Sequence, residues 1–145
     1  VILRKATEQD LIQAAGNLSK GDLQEFHMNI PNRDPREVLP KALDETTHAI
    51  VIGSMVLAVG GSKFPDIWFV TTTVVDTLSH AERFRFYRML KEHLTVVQHT
   101  NQRMMTNYVS LQNKPHIRLL ESLNARFSES TVMSQAGFAF RQFWL

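Results

Sequence analysis

Ser79-His-Ala-Glu82, followed by Arg83, is the stretch whose residue types and spacing come nearest to a chemical site. A serine at the start of an apolar helical pattern can mark an anion site, because free backbone N–H groups and the helix dipole converge there. The same residues also form a capping box, in which Ser79 accepts from the Glu82 N–H and Glu82 reaches back to the Ser79 N–H. The cap is the favoured reading. Arg83, Arg85, Arg88 and Lys91 could contact phosphate, but they wind around the helix between apolar side chains and read better as a solvated flank. Six histidines are scattered, and His93 and His99 lack the i,i+4 spacing that pairs ligands on a helix, so no metal site is expected. The chain has no cysteine, which excludes disulfides, thiolate nucleophiles and cysteine zinc sites. It also lacks HExxH, a nucleophile elbow, a Walker loop and a dinucleotide fingerprint.

The elements that must position these residues follow from periodicity. Ile2 and Leu3 start a strand, and Thr7-Glu-Gln-Asp10 has capping-box spacing for a first helix. Ser19 to His27 forms a second helix with Leu23 and Phe26 on one face. Asp34-Pro-Arg-Glu caps a third, running to about Leu43. Ala49–Ile52 and Met55–Val59 make a hairpin turning at Gly53-Ser54 and ended by Gly60-Gly61. Ile67–Val70 extends as a strand toward Val75. Ser79 to about His99 is a long helix with Phe86, Leu90, Leu94 and Val97 inward, and Phe84 and Tyr87 widening the apolar face. Asn101 and Gln102 punctuate before a Met104–Leu111 strand. Asn113-Lys-Pro then opens a helix with Ile117, Leu120 and Leu123 on one side. Phe127–Val132 and Phe138–Phe143 are the last strand candidates. Antiparallel strands first and parallel crossover units later make an α+β fold.

Length and composition bound the rest. The 145 residues suit one domain, 1–145, with one core. The 43% hydrophobic and 21% charged content belongs to an ordered globular chain. Sixteen Lys and Arg against fourteen Asp and Glu leave +2, which does not imply nucleic acid as a partner. The longest apolar stretch, Ala49–Val59, is interrupted by Gly53-Ser54 and too short to span a bilayer, so no transmembrane segment and a soluble protein are expected.

Asn113-Lys-Pro-His-Ile-Arg-Leu-Leu-Glu-Ser-Leu-Asn-Ala-Arg-Phe127, after Met104–Leu111, resembles the closing strand-helix-strand unit of the GNAT acyltransferases. The resemblance implies a mixed, mostly antiparallel sheet flanked by helices. Asn113 matches the family asparagine and Leu119 the leucine, whereas His116 takes an alanine position, Leu120 the tyrosine position, Asn124 the glycine and Ala125 the phenylalanine. Asn124 suits a left-handed helix end. Leu120 has no proton to give a departing coenzyme A thiolate. The family's glycine-rich pyrophosphate loop should follow the fourth strand, yet Val74–Phe84 contains no glycine, and none occurs between Gly61 and Gly137. Asp76 and Glu82 would also stand near the anionic ligand. Any acyl-coenzyme A would be expected on Val74, Val75, Ser79, His80, Arg83 and Asn113, with strand N–H groups near Val74 and Val75 stabilising the oxyanion formed when an amine attacks the thioester. The catalytic base is unassigned.

Leu57-Ala-Val-Gly-Gly61, Trp68-Phe-Val-Thr71, Asn107-Tyr-Val109 and His116-Ile-Arg-Leu-Leu120 are similar to small GNAT-like virion-associated or assembly proteins of short-tailed bacteriophages. This resemblance implies a non-catalytic role in building the particle or its internal components, with phage structural proteins or other copies as partners and the virion or infected host cytoplasm as location. No cofactor is then expected. The alternative is an acyl-coenzyme A-dependent N-acetyltransferase acting on an unidentified amine. Phe138-Ala-Phe-Arg-Gln-Phe-Trp-Leu145 carries more large apolar side chains than one strand face needs, so it is the expected partner surface, removable at Trp144 and Leu145 without loss of fold.

Overall fold

Consecutive apolar residues, buried on both faces in the central strands, build an antiparallel sheet in the order β1 (Ile2–Lys5), β2 (His48–Ile52), β3 (Met55–Gly61) and β4 (Trp68–Thr71). The computed structural model describes residues 1–101 and 103–145; Gln102, read as punctuation with Asn101, lies outside the described residues. The β2–β3 hairpin turns where expected, with Gly53 at φ 58°. A second antiparallel sheet comprises β5 (Thr106–Ser110), β6 (Arg126–Phe127), β7 (Val132–Met133) and β8 (Ala139–Trp144). In it β8 is central, pairing with β5 on one side and with β6 and β7 on the other.

The helices are α1 (Glu8–Ala15), α2 (Lys20–Asn29), α3 (Pro35–Val38, continued by a 3-10 turn, Leu39–Ala42), α4 (His80–Thr100) and α5 (Lys114–Ser122). Both capping boxes form: Thr7 Oγ1 accepts the Asp10 N–H at 3.2 Å, and Ser79 Oγ accepts that of Glu82 at 3.2 Å. Asp34 accepts from Arg36 N at 2.9 Å, with Pro35 in the first helical turn. One core lies under α4 and α5, where Phe86, Leu90, Leu94 and Leu120 meet Leu57, Val109 and Phe143. A second packs Leu11, Ala14 and Leu39 against Val51, Val56 and Val59.

Tertiary context overrides several local readings. Later strands were expected to be parallel, but the named strand pairings are all antiparallel, and among the described residues the segment just before β4 meets β5 through one parallel bridge, Asp66 to Thr106. The two strands run together at their starts and then splay, so the crossover through α4 leaves no parallel ladder. Phe84 is 68% and Tyr87 40% exposed, so they do not widen the buried face of α4. On α2 it is Asp22 that is buried, while Leu23 faces outward. The expected Phe127–Val132 strand is two short strands, β6 and β7. The carboxy-terminal segment is interior: Phe140, Phe143 and Leu145 are buried, and Leu145 exchanges two 2.8 Å backbone hydrogen bonds with Met105. Of the aromatic excess that looks like a spare surface, Phe140 and Phe143 are buried on opposite faces of a central strand, Trp144 is half-buried, and Phe138, just before the strand, is exposed.

Gly60 and Gly61 do not end the hairpin but continue β3 opposite Phe69 and Trp68. A Cβ on Gly60 would sit 2.6 Å from the Trp68 carbonyl oxygen and 2.9 Å from the Phe69 Cβ. Gly60→Ala is therefore expected to push β4 away and cost about 1–3 kcal/mol, read as a lowered midpoint in urea unfolding; an unchanged midpoint would show that β4 yields freely.

Candidate functional site

The splay between β4 and β5 gathers several buried and half-buried polar groups, among them Asp22, Glu25, Ser110 and Asn113. Beyond the Asp66–Thr106 bridge, Ile67 N still reaches Thr106 O at 3.2 Å and the Asn107 side-chain amide donates to Ile67 O at 2.9 Å. Farther along, the strands are too far apart to pair, and their N–H groups need other acceptors. Side chains supply them. Asp22 Oδ2 accepts from Thr71 N on β4 at 2.8 Å, and Glu25 Oε1 accepts from Ser110 N on β5 at 2.8 Å. Tyr108 N is held by Asn107 Oδ1 at 2.8 Å. Asp22 and Glu25 stand three residues apart, on one face of α2, so one helix reaches both arms.

Asn113 joins the two carboxylates. Its amide donates to Asp22 Oδ1 at 3.0 Å and to Glu25 Oε1 at 3.3 Å, and the residue is 4% exposed. Gly21 permits this approach, since a Cβ there would lie 2.8 Å from Asn113 Oδ1. One turn along α5, His116 lies with its ring centroid 4.3 Å from Phe69, and its Nδ1 is 3.8 Å from Asp22 Oδ1. That separation is too long for a hydrogen bond and acts through charge when the ring is protonated. Burial opposes ionisation of Asp22, but His116, the Thr71 N–H and Asn113 outweigh it and hold the carboxyl below its ordinary pKa. Burial pushes Glu25 up, and the Asp22 charge adds to that. Two neighbouring carboxyls are thus driven apart in acidity. Glu25 and His116 of this cluster line an open cleft of about 610 Å³, together with Trp68, Phe69 and Tyr108.

The residues expected to hold a cofactor do not assemble into one cradle. Val74 and Val75 are in a 3-10 turn, Thr73–Thr77, rather than on a strand, because β4 stops at Thr71 once its partner has diverged. The Val75 N–H donates to Thr72 O at 3.3 Å. Ser79 is the α4 cap, and the Glu82 carboxylate accepts its N–H at 3.0 Å, placing a negative group across the helix start. His80 opens that helix on the exposed side. Arg83 donates to Asp76 O at 3.2 Å. Asn113 belongs to the buried carboxylate cluster, as the residue preceding α5, and makes no side-chain cap. Leu120 is fully buried in the core.

Sequence reasoning missed Asp22 and Glu25 and saw His116 only as a departure from an alanine. Two acids at i,i+3 on a helix whose apolar residues are weakly ordered was the available signal. Among the described residues, no three His, Asp or Glu side chains are grouped to hold a metal ion, and no helix is long and apolar enough to cross a membrane.

Comparison with solved structures places the fold. The ribosomal-protein-S18-alanine N-acetyltransferase of Escherichia coli superposes with a TM-score of 0.64 at 13% identity, covering 99% of this chain and 92% of that one. An N-acetyltransferase from Staphylococcus aureus Mu50 gives 0.63 at 10% identity over 100% of both chains. The GNAT domain of S. lividans PAT gives 0.62 at 15%, covering 99% and 89%. Such identities show the fold alone, and that fold is GNAT-like. No curated protein sequence matches the chain. Residues 46–131, from the start of the hairpin to the approach to β7, match the model of the family described as Bacteriophage T7, probable scaffold protein Gp13, and the chain belongs to that family.

Proposed function

We propose that the protein is a non-catalytic bacteriophage assembly component that works through protein contacts on a degenerate acyltransferase fold. Membership of the probable scaffold family supports the assembly role. The observation that carries the non-catalytic reading is the occupied splay: Asp22, Asn107 and Glu25 already take the N–H groups of Thr71, Tyr108 and Ser110. A thioester arm laid between β4 and β5 would have to displace the buried Asp22 and half-buried Glu25 carboxyl groups from these donors. Glu82 stands at the helix start where a pyrophosphate would need free donors. Leu120 offers no acid for a thiolate. Partners on this reading are phage structural proteins or further copies, and the place of action is the assembling particle or the infected cell.

Titration calorimetry with acetyl-coenzyme A tests the reading. No saturable heat is expected, and low-micromolar binding together with acyl transfer to amine acceptors would establish the alternative, an N-acetyltransferase. The open cleft on the α2 side is the feature that favours that second reading, since it could admit an acceptor.

A further inference from the structure

Two histidines meet between the first sheet and the longest helix. His48 on β2 and His93 on α4 stand with ring centroids 4.8 Å apart and ring planes tilted by 52°, and both residues are half-buried. His48 Nδ1 lies 2.8 Å from the Thr46 carbonyl oxygen. A carbonyl only accepts, so that nitrogen keeps its proton and Nε2 is the atom of His48 that titrates. Among the described residues lining the narrow space under α4, these two histidines alone titrate, and Leu3, Ile50, Leu94 and Val97 are their apolar neighbours. The groups facing the pair do not suit an imidazolium. On α4 the positions three and four away from His93 are Met89, Leu90, Val96 and Val97, so no carboxylate reaches it along the helix. Glu92, adjoining it in sequence, is taken by Arg88 at 2.9 Å, and Lys91 is a cation. From β1, Lys5 stands opposite His48 on the same sheet face and is a further cation. Its ammonium donates to the Glu45 carbonyl at 3.4 Å, while the Glu45 carboxylate accepts from Lys63 at 2.7 Å. β3 offers only Gly60 opposite His48, and β4 the uncharged Trp68.

We propose that the His48–His93 contact is an acid-sensitive latch, which holds the second half of α4 on the sheet while both rings are neutral and releases it when the pair takes up protons. Neutral, the two rings pack across the interface as small aromatic groups. Protonated, they bring like charges together in a space closed by apolar side chains, and both repulsion and desolvation oppose that state. Burial and the His48 charge accordingly push the pKa of His93 below its ordinary value. A lowered folded-state pKa means that the contribution is fully present above the ordinary histidine value of 6.5 and is lost as pH falls through the folded value. The two halves of the helix are held differently. The Ser79–Glu82 capping box and Phe86 secure the start, whereas beyond His93 the helix relies on Leu94, Val97 and one hydrogen bond at 3.3 Å from the Gln98 amide to the Leu123 carbonyl. Release therefore uncovers the apolar stripe at Leu94 and Val97. The latch is independent of the protein-contact reading above.

Histidine-ring NMR titration and amide hydrogen exchange on the whole chain test the latch. The His93 ring is expected to titrate below 6.5 and to move upward in a His48→Gln variant, which keeps a polar side chain but removes the neighbouring charge. Protection factors at Leu94 and Val97 are expected to fall about threefold or more relative to Phe86 between about pH 8 and about pH 5. In His93→Gln that relative loss should disappear. A His93 ring titrating at or above the ordinary value, no movement in His48→Gln, or an equal acid loss of protection in a folded His93→Gln variant would overturn the latch. Should neither variant fold, the ring titration and the exchange profile of the unaltered chain decide: uniform protection along α4 across the same pH range would sink the proposal.

Discussion

Replacing Asp22 with alanine is expected to destabilise the protein by about 3–5 kcal/mol. The carboxylate holds the Thr71 N–H, the Thr71 hydroxyl at 3.1 Å, the Ser19 hydroxyl at 3.1 Å and the Asn113 amide, and it faces His116. Deletion leaves the Thr71 N–H and the Ser19 hydroxyl without this acceptor, leaves Asn113 with Glu25 alone and the Thr71 hydroxyl with Ser19 alone, and exposes the uncompensated desolvation of the groups that lose their partner. Urea unfolding monitored by circular dichroism reads the loss; a decrease under about 1 kcal/mol would show that the cluster does not clamp α2 to the splayed strands. The pH dependence separates the two acids. The pKa of Asp22 is lowered in the fold, so its contribution is present above the ordinary aspartate value and is lost as pH falls through the folded value. The pKa of Glu25 is raised, so its contribution is present below the ordinary glutamate value and is lost as pH rises through the folded one. Asp22→Asn should flatten the acid limb of the stability profile, whereas Glu25→Gln should flatten the limb above the ordinary glutamate value.

Removing Trp144 and Leu145 is expected to unfold the chain or cost about 4 kcal/mol or more. Read as sequence, these residues were a dispensable contact surface. In the fold Leu145 is 7% exposed and its backbone forms a reciprocal pair with Met105, while Trp144 lies opposite both Thr106 and Arg126. Truncation deletes a core side chain and the end of the strand that joins β5 to β6. Thermal unfolding by circular dichroism checks this: a truncated protein that melts with the full-length chain would contradict the central position of β8.

The legible parts of the chain were those governed by near neighbours. Thr7 with Asp10, Ser79 with Glu82, Asp34 before Pro35, and Gly53 at the hairpin turn all declared themselves, because caps and turns are satisfied within a few residues. Asn124 at φ 59° likewise closes α5 as its residue type predicted. The inward stripe of α4, Phe86 to Val97, followed from a 3.6-residue period alone. Gly60 was misread for the opposite reason: the constraint on it comes from Phe69 and Trp68 on the next strand, not from a turn.

By itself, then, the sequence determined the helices, the hairpin, the α+β class and the family, since each rests on local periodicity or on ordered short phrases. Tertiary structure alone decided that β4 and β5 part after one bridge, that β8 is central rather than spare, and that Asp22, Glu25, Asn113 and His116 meet. The physical reason is the strands' unpaired N–H groups: once the ladder opens they must be met by acceptors, and those acceptors come from residues as distant in sequence as Glu25 and Ser110. No periodicity records such a debt, because it exists only where two strands have been brought together and then allowed to diverge.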